Sequence, residues 1–164
     1  MSRQFVFPRL QVIVTGKGPL KDHYLAIFNE RNTHGWDGLI NISTVWLEVD
    51  DYPKMVASAD LGVCLHFSSS GFDLPMKVVD MFSASLPCLA YDYNCIEELV
   101  EDGRNGRLFS NSEQLCDQLF DTLKGFHYTN KTEVLNKYRA NLSDFGKDDW
   151  DSQWREVMLK VIHE

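Results

Sequence analysis

The strongest constraint in this sequence is a repeated alternation. Short apolar runs at 10–15, 39–43, 61–65, 87–90 and 107–109 are each followed by turn residues or a stretch of helical spacing. Runs of that kind read as strands buried on both faces, since a half-exposed strand would alternate apolar with polar. Strands that alternate with helices build a parallel sheet with helices on both faces, an α/β, Rossmann-like architecture. Ligands of such sheets gather outside the carboxyl ends of the strands, near the point where strand order switches. The loops at 15–19, 43–49 and 66–76 are therefore the places to search for function.

The helical stretches have identifiable starts. Leu20, Tyr24, Ile27 and Phe28 recur at helical spacing after the first run. Pro53 behind Asp50 and Asp51 opens a second helix, and Pro75 opens another whose Val78, Val79 and Phe82 form an apolar stripe. A short helix is expected over 95–100 and a longer one over 113–124, with Leu115, Leu119 and Leu123 spaced by four. Two more follow at 133–142 and 150–162. The last carries Trp150, Trp154, Val157 and Val161 on one face, a stripe that docks on a core or crosses to a second lobe. The organisation reads as a lead-in at 1–9, disordered or incomplete, a nucleotide-binding domain at 10–126 and a helical extension at 127–164.

Size and charge narrow the ligands. The 164 residues suit one domain, and 16 Lys and Arg against 24 Asp and Glu leave a formal charge of −8. An acidic chain repels phosphate backbones, so nucleic acid is not an expected partner. Any phosphate must be held by a local device. The four cysteines form no C-x-x-C pair, so no zinc knuckle or dithiol site is expected, and no window is apolar for long enough to span a membrane.

Two stretches offer such a device. Gly16-Lys17-Gly18-Pro19 follows the first strand; its glycines let backbone approach a ligand, and a helix N-terminus behind Pro19 offers free N–H donors. A plain strand-to-helix turn explains the same four residues. The stretch from His66 to Asp80 is denser: three consecutive serines ending in Ser70, then Gly71, Phe72, Asp73, Leu74, Pro75, Met76 and Lys77. Backbone N–H groups and a helix dipole would face a diphosphate there, with Lys77 as a point charge. Were the helix to extend back to Asp73, its carboxylate and that of Asp80 would lie two turns apart on one face, about 10.5 Å. Two carboxylates flanking a cation could accept hydroxyls on either side of a diphosphate. An exposed Asp–Lys–Asp network is the plainer reading.

The stretches 15–20, 46–48, 51–53, 58–63 and above all 68–82, Ser-Ser-Ser-Gly-Phe-Asp-Leu-Pro-Met-Lys-Val-Val-Asp-Met-Phe after its first serine at Ser68, resemble the chitobiosyldiphosphodolichol β-mannosyltransferases of asparagine-linked glycosylation. The resemblance runs from about Leu10 to Phe126 and implies the carboxyl-terminal lobe of a glycosyltransferase B fold. It implies GDP-mannose as donor, a dolichol-diphosphate-linked chitobiose as acceptor through a second lobe, and the cytosolic face of the endoplasmic reticulum membrane as location. No cofactor or metal is implied. By the same resemblance Asp80 accepts from ribose, Asp73 faces the mannose hydroxyls, the backbone from Gly71 to Met76 meets the phosphates, and Trp46 and His66 line the site with Gly16 and Lys17. Two positions depart from the wider fold: its paired acids are glutamates eight apart, and Ser83-Ala84-Ser85 stands where a glycine-containing turn is expected. No catalytic base can be named. Two other functions fit the residues: a non-catalytic relative that binds nucleotide sugar or a partner glycosyltransferase, and a flavodoxin-like phosphate or flavin binder.

Overall fold

The computed structural model describes residues 7–126, 132–146 and 150–162. Residues 1–6 of the expected lead-in and 127–131, 147–149 and 163–164 of the expected extension lie outside the described residues. The chain order is β1 (Leu10–Thr15), α1 (Lys21–His34), β2 (Ile40–Val45), α2 (Tyr52–Ser58), β3 (Gly62–Cys64), α3 (Met76–Ser83), β4 (Cys88–Tyr91), a 3-10 turn (Ile96–Glu98), β5 (Gly106–Phe109), α4 (Ser112–Leu123), α5 (Glu133–Asn141) and α6 (Trp150–Ile162). Every strand pairing is parallel. The α/β, Rossmann-like class read from the sequence therefore holds.

One feature differs from the expected continuous sheet. The strands form two sheets, β1 with β2 and β3-β4-β5, not joined by a ladder. Burial follows that division. In the three-stranded sheet β4 is covered on both faces, with Cys88, Leu89 and Ala90 all at or below 1% exposure. Val78 and Phe82 of α3 pack on it together with Ile96, Val100 and Leu142. Burying a side chain such as Phe82 contributes roughly 1.5–3 kcal/mol, so the stability of the molecule is concentrated here. By contrast α1 buries no residue at all, although Tyr24 and Phe28 stack on each other at 6.1 Å.

Local chemistry sets the boundaries. Asn111 caps α4 by accepting from the Gln114 N–H, and Thr132 caps α5 by accepting from Leu135. Helix α3 ends in a Schellman motif: Leu86 N–H bonds to the Met81 carbonyl at 2.8 Å and Ser85 N–H to that of Phe82 at 2.9 Å. Ser85 takes the left-handed conformation at φ 55° that this motif requires. The departure noted in the sequence is thus real: a serine occupies a glycine position. Gly106 is required for another reason, since a Cβ there would lie 2.3 Å from the Cys88 carbonyl oxygen across the β4–β5 ladder. The stripe of α6 does not dock on the core: Trp150 and Trp154 stack on each other at 5.0 Å, and Trp150, Val157 and Val161 are exposed.

Candidate functional site

The carboxyl end of β3 leads directly into a cluster of hydrogen-bonded polar side chains. His66 sits just beyond the strand, and its Nε2 lies 2.8 Å from Asp73 Oδ2. Ser68 Oγ and Ser70 Oγ both donate to Asp73 Oδ1, the latter at 3.2 Å. Each serine also accepts from the loop backbone, Ser68 from Gly71 N–H at 2.7 Å and Ser70 from Phe72 N–H at 3.3 Å. Those bonds bend the chain through Gly71, whose φ of 78° a side chain would strain. From the neighbouring segment after β4, Tyr93 donates its hydroxyl to the Asp73 carbonyl at 2.9 Å. The same ring meets His66 edge-on at 6.0 Å.

This arrangement gives Asp73 a different place from the helical one expected. Helix α3 starts at Met76 with Pro75 as an extended N-cap residue, so Asp73 lies outside it and the two-turn spacing to Asp80 does not apply. Its carboxylate organises the loop. A carboxylate offers about four acceptor positions, and His66, Ser68 and Ser70 address three. The Ser68 bond, then the His66 bond, hold the Asp73 carboxyl below the usual carboxylate range, against desolvation that favours the neutral acid.

The loop delivers the chain to the start of α3. Pro75 is buried, while Met76 and Phe72 project outward, Phe72 at 87% exposure, and Leu74 is 38% exposed. No side chain caps the helix, so its first N–H groups face the loop end. Lys77 and Asp80 follow within the first turns, Nζ to Oδ2 at 3.5 Å. The lysine ammonium also lies 5.0 Å from the Tyr52 ring centre, reaching across to α2. Tyr52 in turn hydrogen-bonds Asp80; burial first, then the Asp80 charge and that bond, push its phenol pKa up. A side-chain ion pair this exposed is worth about 0–1 kcal/mol, so Lys77 can exchange Asp80 for a phosphate at little cost.

Gly16, Lys17 and Trp46 belong to the other sheet. Gly16 adopts φ 140° and opens on empty space, and Lys17 Nζ rests 4.0 Å from the Trp46 ring centre, a cation–π contact joining the ends of β1 and β2. The structure thus gathers His66, Ser70, Gly71, Phe72, Asp73, Leu74, Pro75, Met76, Lys77 and Asp80 in one continuous stretch, and pairs Lys17 with Trp46 separately. Three participants were not singled out as site residues in the sequence: Ser68, Tyr52 and Tyr93. Ser68 was signalled by the serine run and Tyr52 by its place before Pro53, but nothing local marks Tyr93, whose partner is twenty positions away. Among the described residues no cluster of three or more His, Cys, Asp or Glu is placed to hold a metal.

Residues 3–124 match the family model described as glycosyl transferases group 1. The chain is similar to the chitobiosyldiphosphodolichol beta-mannosyltransferase of Homo sapiens, 42% identical over 94% of this chain and 32% of the relative. The Dictyostelium discoideum protein of that name is 47% identical over 90% of this chain and 31% of its own. An Arabidopsis thaliana protein named UDP-glycosyltransferase TURAN is 45% identical over 98% and 34%. The chain spans about a third of the length of these curated relatives. Among solved structures, Anabaena Alr3699/HepE in complex with UDP superposes with a TM-score of 0.66 at 17% identity, over 95% of this chain and 41% of that one. The C-terminal domain of a group 1 glycosyl transferase (LpcC) from Francisella tularensis gives 0.58 at 17% identity, over 82% and 65%. Both support the fold, that of a lobe of a glycosyltransferase B protein.

Proposed function

The chain belongs to the group 1 glycosyl transferases, and from that membership we propose that it is the nucleotide-sugar-binding lobe of a β-mannosyltransferase. In this reading it holds GDP-mannose for β-1,4 transfer to a dolichol-diphosphate-linked chitobiose in protein N-glycosylation, at the cytosolic face of the endoplasmic reticulum membrane. In this reading residues 10–126 make up the nucleotide-sugar domain, and the helices Glu133–Asn141 and Trp150–Ile162 belong to its extension. The names of the human and Dictyostelium relatives support the mannosyl group and the acceptor. No described helix is long and apolar enough to cross a membrane.

The observation that carries this reading is the succession, in one stretch, of a left-handed Gly71 turn, an uncapped helix start, Lys77 and Asp80. Free backbone N–H groups and the helix dipole meet the diphosphate, and Lys77 leaves Asp80 to add its charge. Asp80, released, accepts from the ribose hydroxyls while Tyr52 keeps it oriented. One acceptor position remains on Asp73 for a mannose hydroxyl, and Phe72 offers an exposed ring beside it. Lys17 on Trp46 supplies a second cation at the ends of β1 and β2. Inverting transfer also needs a base aimed at the acceptor hydroxyl; that group comes from outside these residues, so the chain alone binds donor and transfers little.

Calorimetric titration with GDP, GDP-mannose and UDP tests the proposal. GDP and GDP-mannose bind, and UDP binds at least tenfold more weakly. A preference for UDP, the nucleotide in the name of the Arabidopsis relative, would overturn the donor assignment, and no binding of any of the three would overturn the site.

A further inference from the structure

Helix α2 packs beside the start of α3, and its first residue is a tyrosine. The N–H groups of Asp51 and Tyr52 both bond the Glu48 carbonyl at 3.1 Å, a turn that ties α2 to the segment leaving β2. Pro53 follows, and its fixed φ sets the first helical turn. Side chains on a helix lean towards its N-terminus, so Tyr52 reaches past the start of α2 to α3. The acid next to it, Asp51, is engaged by Lys54 at 2.8 Å and not by Lys77.

Tyr52 meets both members of the Lys77–Asp80 pair. The lysine ammonium lies 5.0 Å from the ring centre, within cation–π reach, and 3.5 Å from Asp80 Oδ2. The Tyr52 hydroxyl bonds the same carboxylate; burial, then the Asp80 charge and that bond, raise the phenol pKa, so the group stays protonated and donates at neutral pH. The two contacts respond differently to a nucleotide. A ribose hydroxyl competes with Lys77 for Asp80, while a carboxylate with about four acceptor positions keeps its tyrosine bond. The ring face is not an acceptor that ribose can take. A lysine stem is flexible, and a ring that keeps its ammonium beside the helix start removes part of that freedom before a phosphate arrives.

We propose, resting on the nucleotide reading of this stretch, that Tyr52 is a positioning residue that couples the two halves of nucleotide recognition. Its hydroxyl orients Asp80 for the ribose, and its ring keeps Lys77 aimed at the diphosphate once ribose has taken Asp80. A nucleoside then gains only from the hydroxyl, whereas a nucleoside diphosphate gains from the hydroxyl and the ring. An exposed Lys–Asp pair one turn apart on a helix would by itself give no such difference.

Calorimetric titration of the 164-residue chain with guanosine and GDP, in the wild type, Tyr52→Phe and Tyr52→Leu, tests the coupling. Tyr52→Phe loses the hydroxyl and keeps the ring: both ligands weaken by about threefold, and the ratio of their affinities is unchanged. Tyr52→Leu loses both: guanosine weakens as in Tyr52→Phe, and GDP weakens by a further factor of about two to five. In a Lys77→Ala background the two variants become indistinguishable. An unchanged ratio in Tyr52→Leu, or a ratio that falls equally without Lys77, would overturn the proposal, because a merely structural tyrosine weakens both ligands together. Proton NMR gives a readout that does not need the leucine variant. The ring current carries the Lys77 ε-methylene protons upfield of the other lysines in the wild type and in Tyr52→Phe, and the shift survives saturating guanosine; an ordinary lysine shift in either state would overturn it. A wild type that binds no GDP, with those protons still upfield, would overturn the nucleotide reading. GDP binding without the split in the ratios would overturn the coupling alone.

Discussion

Lys77 and Asp80 form an ion pair, and the proposed nucleotide is expected to separate them. Asp80→Ala removes the ribose acceptor and weakens GDP and guanosine alike, by about tenfold or 1.4 kcal/mol. Lys77→Ala weakens GDP by a similar factor and leaves guanosine nearly untouched, because only the phosphates take its charge. Competition titration with both ligands separates the two outcomes. Asp73 makes a pH prediction of known sign. Its folded pKa is depressed, chiefly by Ser68 and then by His66. The loop stabilisation it provides is therefore present above the ordinary carboxylate pKa and is lost as pH falls through the lower folded value. The Gly71 amide resonance, whose N–H donates to Ser68, should titrate below the usual carboxylate range, and Asp73→Asn should abolish that step. A Gly71 titration within or above the ordinary range would contradict the hydrogen-bonded loop.

At the scale of elements, the end of α3 shows how a rule of sequence and a strain in structure coincide. Ser85 at φ 55° occupies the left-handed position of the Schellman motif, where glycine escapes the Cβ penalty. Ser85→Gly should stabilise the chain, by up to about 1 kcal/mol after the entropic cost of glycine is offset. A urea melt that shows destabilisation would refute it. Much of this level was legible. All five strands fell within two residues of their observed limits, since the apolar runs and the Gly and Pro between them are local signals. The start of α3 was legible for the same reason, Pro75 fixing it. What escaped was set by distant residues. Asp73 was given a helical neighbour in Asp80, but its partners are His66, Ser68 and Ser70, and a loop held by side-chain bonds has no periodicity to read. Tyr93 joined the loop from beyond β4.

For the whole molecule, burial separates a packed layer from elements that leave apolar side chains exposed. The β3-β4-β5 layer has a packed core around Phe82 and Leu89, whereas β1, α1 and α6 leave apolar side chains in water. The sequence reads as one sheet because each run is apolar; which runs pair with which is set by tertiary packing, and no local pattern reports that. The formal charge of −8 makes the local cations matter more: in the proposed site a diphosphate is held where Lys77 and an open helix N-terminus outweigh the surrounding acids. The stretch from Ser68 to Asp80 as the nucleotide site can be tested by mapping amide shifts in the ¹⁵N-labelled chain on addition of GDP. The shifts should concentrate between Gly71 and Lys77 and extend to Asp80 and Tyr52. Shifts confined to other loops, with Gly71 to Lys77 unmoved at saturating GDP, would contradict the assignment.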